Sequence, residues 1–500
     1  MLGVAVVAIL ALAGMTGIES SSFRQGSVES DPVTDAIVTG ASQDALDVYR
    51  RHGHLKGPQH AIAVFDVTTG MIRIDLRGGG LPEHGGAELE DLQQFVSNGA
   101  LEALRPIVPA AGTIFFYNGK SFAEQYPEDA FADRHVRRPR QGGGGLVVVS
   151  AGHGWYYHHR FRDWRAQRDP SNGIIEDEIT PGYADELRRW MIERSQVAAV
   201  RIRSEAADFH TPSGYAWWRM AARYSLEASH PEQPDLWNSL PTSDHALRER
   251  DEDIRSRPRY ANLLQAEALF HLHTNAGPPA ASGARAYVAE GRPEDHRLAS
   301  QVLCYMKELI NSVDDYSDYA VASTPETGRH GENSQANMPS VIIEAGFHTN
   351  ASDAAALLDP AFRTASMKGV EKGYRLFREG EGCVPLKVEP IQSIELSAGS
   401  SRRVDVVFEG HPRYPIDLVT TNVGCPPGWT CTDGKVHIAA PDEKPSQIIM
   451  KCENAGSAPL FWSTQVVDAD GVKSPPVRHR VQCIRRPGGL SVAAAGLVGH

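Results

Sequence analysis

Leu146-Val-Val-Val-Ser-Ala-Gly-His153-Gly154 runs an apolar strand directly into a turn in which glycines flank a histidine, so backbone can come close to whatever His153 holds. Two later stretches have the same shape. Ala266-Glu-Ala-Leu-Phe-His-Leu-His273-Thr-Asn275 ends a strand in a polar turn, and Met338-Pro-Ser-Val-Ile-Ile-Glu344-Ala-Gly-Phe347 ends one in a carboxylate. Between them, Gly173-Ile-Ile-Glu176-Asp-Glu178 is followed by Thr180-Pro181, an N-cap and first-turn pair. That pair predicts a helix to about Ser195, with Glu176 just before it. Asn350 is predicted to cap the next helix, with Asp353 as its partner three residues on. From Leu146 to about Glu379 apolar strands alternate with helices, which predicts an α/β domain over residues 146–380.

The position of these polar residues matters. Open α/β sheets bind ligands beyond the carboxyl ends of their strands, and His153, His273 and Glu344 all stand at or just past such ends. A His/Glu/His set with a further Glu is enough for a catalytic zinc. It supplies three protein ligands, an open position for water and a base for that water. A carboxylate directly after Val-Ile-Ile is expensive to bury unless it is paired or functional, which singles out Glu344.

Outside this domain the chain changes character. Residues 1–25 open on an apolar run with an Ala11-Leu12-Ala13 cleavage pattern, which predicts a signal peptide, although no Lys or Arg precedes the run. A polar linker is expected over 26–58. Residues 59–126 read as a small α/β domain, with strand-like runs at Ala61–Phe65, Met71–Leu76 and Thr113–Tyr117. Its helix, Ala87–Leu104, places Leu89, Leu92, Phe95, Val96, Leu101 and Leu104 roughly on one face. Residues 127–145 are an Arg- and Gly-rich linker. From 384 to 486, seven short runs separated by Gly/Pro/Asp turns predict an immunoglobulin-like β-sandwich, and 487–500 a loose Gly/Ala-rich tail. Cys425, Cys431, Cys452 and Cys483 crowd this last region. Three pairings are open, with Cys425–Cys431 and Cys452–Cys483 preferred, and disulfides require an oxidising compartment.

Composition closes off other classes. The chain has 500 residues, 41% hydrophobic and 22% charged, an ordinary globular mixture. Fifty Lys+Arg against 62 Asp+Glu leave a net charge of −12, which repels phosphate backbones and argues against nucleic acid as a partner. No apolar run in the body approaches the roughly 20 residues of a membrane span.

In order along the chain, Gly152-His153-Gly154, Gly173-x-x-Glu176-x-Glu178, Arg259-x-Ala261-Asn262, His271-Leu-His273-Thr-Asn275-Ala276 and Met338-Pro-Ser-Val-Ile-Ile-Glu344-Ala-Gly-Phe347-x-Thr-Asn350 resemble the motifs of zinc-dependent N-acetylmuramoyl-L-alanine amidases. These are bacterial cell-wall hydrolases. The resemblance covers Leu146 to Phe377, and its last motif is the most specific. It implies a phosphorylase/hydrolase-like central sheet with helices on both faces and one zinc ion per chain. His153, Glu176 and His273 are the implied ligands and Glu344 the implied general base. The implied reaction is hydrolysis of the amide between N-acetylmuramic acid and L-Ala of the peptidoglycan stem peptide. The family pattern selects His273 over His271, two positions away on the same strand face.

Arg329, in the loop before the last strand, and Asn275 are weaker candidates for contacting substrate or transition state. The chain departs from the family in a long insertion, Arg203 to Pro258, which reads as a lid, an added groove wall or a packed surface element. It also departs in the aromatic run Trp155–Trp164. The expected molecule is an exported zinc amidase acting on peptidoglycan, with the sandwich domain as a contact to the wall or a protein partner. The alternatives are a carboxypeptidase-like zinc hydrolase of another amide and an inactive wall-binding protein.

Overall fold

Alternate residues of the central strands divide between two cores. Val147, Val149 and Ala151 face one side with Ala268, Phe270 and Leu272, while Val148 and Leu269 face the other. Strands apolar on both faces must be covered on both, and this requirement sets the layers of the molecule. The computed structural model describes residues 29–51, 57–127, 144–441 and 446–486. The expected signal peptide, most of the 127–145 linker and the 487–500 tail lie outside the described residues.

The chain begins with α1 (Pro32–Arg51), β1 (His60–Asp66), β2 (Met71–Arg77), α2 (Ala87–Leu104), β3 (Gly112–Tyr117) and α3 (Phe122–Gln125). It continues with β4 (Leu146–Ala151), a hairpin of β5 (Tyr156–His158) and β6 (Asp163–Arg165), α4 (Glu176–Glu193) and β7 (Ala198–Arg201). The insertion holds a second hairpin, β8 (Phe209–His210) and β9 (Tyr215–Ala216), then α5 (Ala222–Ser229) and α6 (Pro234–Trp237), and runs into α7 (Arg248–Leu263). There follow β10 (Ala268–Asn275), β11 (Arg285–Val288), α8 (Pro293–Ile310), β12 (Glu326–Thr327), α9 (Gly331–Ser334), β13 (Ser340–Phe347), α10 (Ala351–Leu358) and α11 (Pro360–Glu379).

Nine strands form one mixed sheet in the order β1-β2-β3-β12-β11-β13-β10-β4-β7. Helices α4, α8, α10 and α11 cover one face, and α5 and α7 pack on the other. The three strands of the 59–126 unit therefore continue the central sheet, joined where β3 meets β12 at Gly112 and Thr327.

Residues 26–58 are not a linker throughout. Pro32–Arg51 is a helix that buries Val38, Ala45, Leu46 and Tyr49 against the rest of the N-terminal unit. Its buried face is interrupted by Thr34 and Ser42, so it reads as polar sequence. Helix α4 begins at Glu176, about a turn earlier than Thr180-Pro181 suggests. Glu176, Asp177 and Glu178 complement the helix N-terminus, and Pro181 is carried inside the helix.

Helices α8 and α11 approach each other through glycine. A Cβ at Gly369 would lie 2.5 Å from Met306 Cα, and one at Gly373 would lie 2.7 Å from Val302 Cα. Alanine ordinarily favours a helix over glycine by about 1 kcal/mol. At Gly369 the obstacle is backbone, which cannot rotate aside. Gly369→Ala is expected to lose about 1–3 kcal/mol net, read as a lower urea midpoint with unchanged slope.

Beyond α11, a five-stranded sheet, β15-β22-β21-β18-β19, faces smaller β16–β20 and β14–β17 pairs. The strands are β14 (Lys387–Val388), β15 (Ile394–Ser397), β16 (Ser400–Asp405), β17 (Phe408–Glu409), β18 (Ile416–Gly424), β19 (Gly434–Ile438), β20 (Gln447–Cys452), β21 (Leu460–Val467) and β22 (Val477–Ile484). Leu418, Trp462 and Val466 share a core with Ile448 and Met450, and Leu309 of α8 joins it. Both preferred disulfides form, and a third, Cys304–Cys383, ties α8 to the segment leaving α11. Arg194 pairs with Asp470 through both Nη atoms, at 2.8 and 2.7 Å, which fixes this unit against the C-terminal end of α4.

Candidate active site

Strands β4, β10 and β13 are parallel, so their carboxyl ends reach the same edge of the sheet. Register then does the rest. His273 pairs with Glu344 across β10 and β13, and Gly152 N–H donates to Leu272 C=O at 2.8 Å. His153 takes a positive φ of 55° between Gly152 and Gly154. A Cβ at Gly152 would lie 2.5 Å from the His273 ring, so the glycine is what lets the two histidines meet. Glu176 arrives from the first turn of α4.

Three side-chain atoms converge. His153 Nε2 and His273 Nδ1 are 3.1 Å apart, and Glu176 Oε1 lies 3.2 Å from the first and 3.1 Å from the second. The outer partners fix the tautomers. Gln167 donates Nε2–H to Asp253 at 2.9 Å, which turns its Oε1 toward His153 Nδ1 at 3.3 Å, so Nδ1 carries the proton. His273 donates Nε2–H to Glu332 Oε2 at 3.0 Å. Burial pushes both imidazoles below their ordinary range, so they are neutral. Glu176 Oε1 accepts from Thr274 N–H at 2.9 Å and its Oε2 lies 3.7 Å from Arg168 Nε, contacts that favour the ionised carboxylate despite its burial. Two nitrogen lone pairs and a carboxylate oxygen thus face one another with no proton between them, an arrangement that calls for a cation. A tetrahedral ion with bonds of about 2.0–2.2 Å spaces its ligands by about 3.3–3.6 Å, so edges of 3.1–3.2 Å need open by only a few tenths of an ångström to admit one. Among the described residues, His153, Glu176 and His273 are the group able to hold a metal ion.

Glu344 stands beside this triad, 2% exposed. Its Oε1 accepts from Gln94 Nε2 at 3.1 Å, and its Oε2 has no hydrogen-bond partner. Burial raises its pKa well above the usual carboxylate range, and the charge on Glu176 adds to the shift. A groove of 1620 Å³ opens over the triad. His158, Phe161 and Arg165 line one side, Tyr49, Asp91 and Phe95 of the N-terminal unit another, and His245, Leu247 and Arg250 of the insertion a third. The insertion forms a wall of the groove, with half-buried Trp217 and Trp237 packed against its cores.

Residues 147–374 match the family model described as N-acetylmuramoyl-L-alanine amidase. This middle part of the chain belongs to that family. No curated protein matches the sequence. Among solved structures, an N-acetylmuramoyl-L-alanine amidase from Clostridium difficile 630 is 15% identical, covering 48% of this chain and 100% of its own at a TM-score of 0.33. The amidase AmiC2 of Nostoc punctiforme is 16% identical, covering 47% of this chain and 97% of its own at a TM-score of 0.30. Ami1 from Mycobacterium abscessus is 15% identical, covering 47% of this chain and 99% of its own at a TM-score of 0.32.

Within the amidase domain, His273 and not His271 meets the other two donors. His271 is fully buried behind them, its Nδ1 3.4 Å from Glu332. The two weaker candidates are not among the residues lining the groove. Arg329 stacks its guanidinium 3.7 Å over the Phe122 ring of α3. Asn275 is fully buried, its Oδ1 accepting from Gln94, Asn98 and Ala276 N and its Nδ2 donating to Tyr287. Its polar atoms are spent inside the fold.

The sequence reading missed Gln167 and Glu332, which orient the histidines, and His348, which shares a hydrogen bond of 2.9 Å with Thr274 and lies 4.0 Å from Glu176. His348 follows the Glu344 strand directly, a position that could have drawn attention. Glu332, in a Gly/Ser/Asn-rich stretch that forms α9, carried no such signal.

Proposed function

We propose that the protein is an exported, zinc-dependent N-acetylmuramoyl-L-alanine amidase that hydrolyses the amide between N-acetylmuramic acid and L-Ala of peptidoglycan. One observation carries this reading. Three unprotonated donors converge on one point, and a buried carboxyl with an unpartnered oxygen sits on the adjoining strand. His153, Glu176 and His273 would hold the ion, two neutral imidazoles and one carboxylate being a suitable donor set for zinc. When bound, zinc supplies Lewis acidity, polarising a carbonyl and lowering the pKa of water from about 16 to about 7.

The remaining work falls to the chain. Glu344 takes a proton from the attacking water on its carboxylate and returns it to the leaving L-Ala nitrogen. A raised pKa brings acceptor and donor forms nearer in energy, which suits a group that must be both in turn. The groove exceeds the roughly 300–1,000 Å³ of common small-molecule sites, in keeping with a polymeric substrate. Disulfides and the apolar N-terminal run support export. Among the described residues no helix is long and apolar enough to cross a membrane. Residues 384–486 read as an immunoglobulin-like sandwich that holds the enzyme to the wall or to a protein partner.

Digestion of purified muropeptides tests the reading. Intact stem peptides with a free N-terminal alanine are expected, abolished by chelator and restored by zinc. Release of single amino acids would instead mark a carboxypeptidase, and inactivity of the zinc-loaded protein would leave a binding role.

A further inference from the structure

The amidase family span starts at residue 147, yet the side chain hydrogen-bonded to Glu344 comes from upstream of it. Gln94, on α2, donates Nε2–H to Glu344 Oε1 at 3.1 Å and to Asn275 Oδ1 at 3.0 Å. Asn98 lies one helical turn on, so it shares the same face. It donates to Asn275 Oδ1 at 2.8 Å and to the Ala276 carbonyl at 2.7 Å, and accepts from Tyr287 O–H at 2.9 Å.

Helix α2 is held in that place from several directions. Arg250 of the insertion donates to both oxygens of Asp91, at 2.8 and 2.6 Å, and Arg168 reaches the same carboxylate at 2.5 Å. Asp251 accepts from Ala87 N–H at 2.7 Å, at the start of the helix, and Glu90 accepts from Gly331 N–H at 2.9 Å. These contacts come from the insertion, from the segment before α4 and from α9. They give the helix a fixed seat against the amidase domain.

We propose that Gln94 is a positioning residue for Glu344, so that the N-terminal α/β unit completes the catalytic centre of the amidase domain. A glutamate on a strand retains freedom about its terminal torsion, which is broad and roughly two-fold. Tying Oε1 to Gln94 fixes the plane of the carboxylate and leaves Oε2, which no protein group occupies, for proton exchange. Proton transfer depends steeply on this geometry, since a displacement of about 1 Å can cost on the order of 100-fold in rate. The proposal rests on Glu344 as the base in the function given above.

The test uses the full chain. Gln94→Met keeps length and straight-chain shape and removes the donor. It is expected to lower kcat on muropeptide by about 10–100-fold, with KM within about twofold and metal content unchanged. Gln43→Met is the control. It removes the acceptor that Ala61 N–H uses at 2.9 Å, loosening the same unit far from Glu344, and is expected to leave kcat unchanged. An equal loss in both variants, a loss confined to KM, or wild-type kcat in Gln94→Met overturns the proposal. A crystal structure of Gln94→Met gives an arm independent of turnover. The Glu344 carboxylate is expected to rotate or lose order, and an unmoved carboxylate overturns the proposal even if the wild-type protein proves inactive on muropeptides, a result that would count against the function itself.

Discussion

Glu344→Gln is expected to reduce amide hydrolysis by about 100- to 10,000-fold, the range that a positioned acid–base group supplies, while metal content and fold survive. The substitution is isosteric, and its carbonyl oxygen can take over the bond from Gln94 Nε2, so the anchor at Oε1 is kept. What is lost is the ability to accept a proton at the other position. Stability should not fall. The native carboxyl is buried with its pKa pushed up, so its charged form is already disfavoured by the fold, and a neutral amide removes that penalty. The amide N–H₂ lacks a protein acceptor at the Oε2 position, a cost of about 1–3 kcal/mol that offsets part of the gain. Turnover on purified muropeptide, elemental analysis for metal and thermal unfolding separate these effects. Retention of more than a tenth of wild-type turnover would remove Glu344 as the base.

The placement of His153, His273 and Glu344 at one edge of the sheet was legible in the sequence because it is local to strand ends. Each of His153, His273 and Glu344 closes an apolar run, and parallel strands bring such ends to one edge of the sheet. The strand-end pattern places them without knowledge of any long-range contact. Helix α2 was legible for the same kind of reason, its leucines and Val96 recurring at helical spacing. The uses of its polar face were not. Gln94 meets Glu344 across a separation of 250 residues, and nothing near Gln94 marks it as different from any exposed glutamine. Helix α1 was lost because Thr34 and Ser42 occupy its buried face. The partners of Arg329 and Asn275 were not legible either. Both lie next to chemistry in sequence, but one is drawn off by Phe122 and the other is consumed by Gln94, Asn98 and Tyr287. Proximity along the chain predicts where a residue is, not which partner wins its hydrogen bonds.

Arg257→Met is expected to cost about 3–5 kcal/mol of folding stability and to weaken metal binding about 10–100-fold. Arg257 is fully buried between the carboxylates of Asp253 and Glu332, pairing with both, and donates to the His153 carbonyl at 3.2 Å. Methionine fills much the same volume but leaves two buried carboxylates without their shared cation. The effect on metal follows from what those groups hold. Glu332 orients His273 through Nε2, and Asp253 anchors Gln167, which orients His153 through Nδ1. Removing one guanidinium therefore loosens both imidazoles without touching either. Urea unfolding reads the first loss, and competition with a graded series of chelators reads the second. Adding Glu332→Gln to Arg257→Met should recover part of the stability, because one uncompensated charge is gone. It should not recover the metal affinity, because an amide is a poorer acceptor than a carboxylate for His273 Nε2–H. If the double variant regained both together, the histidines would not be held through Glu332, and the stability and metal losses would share a single origin in packing around Arg257.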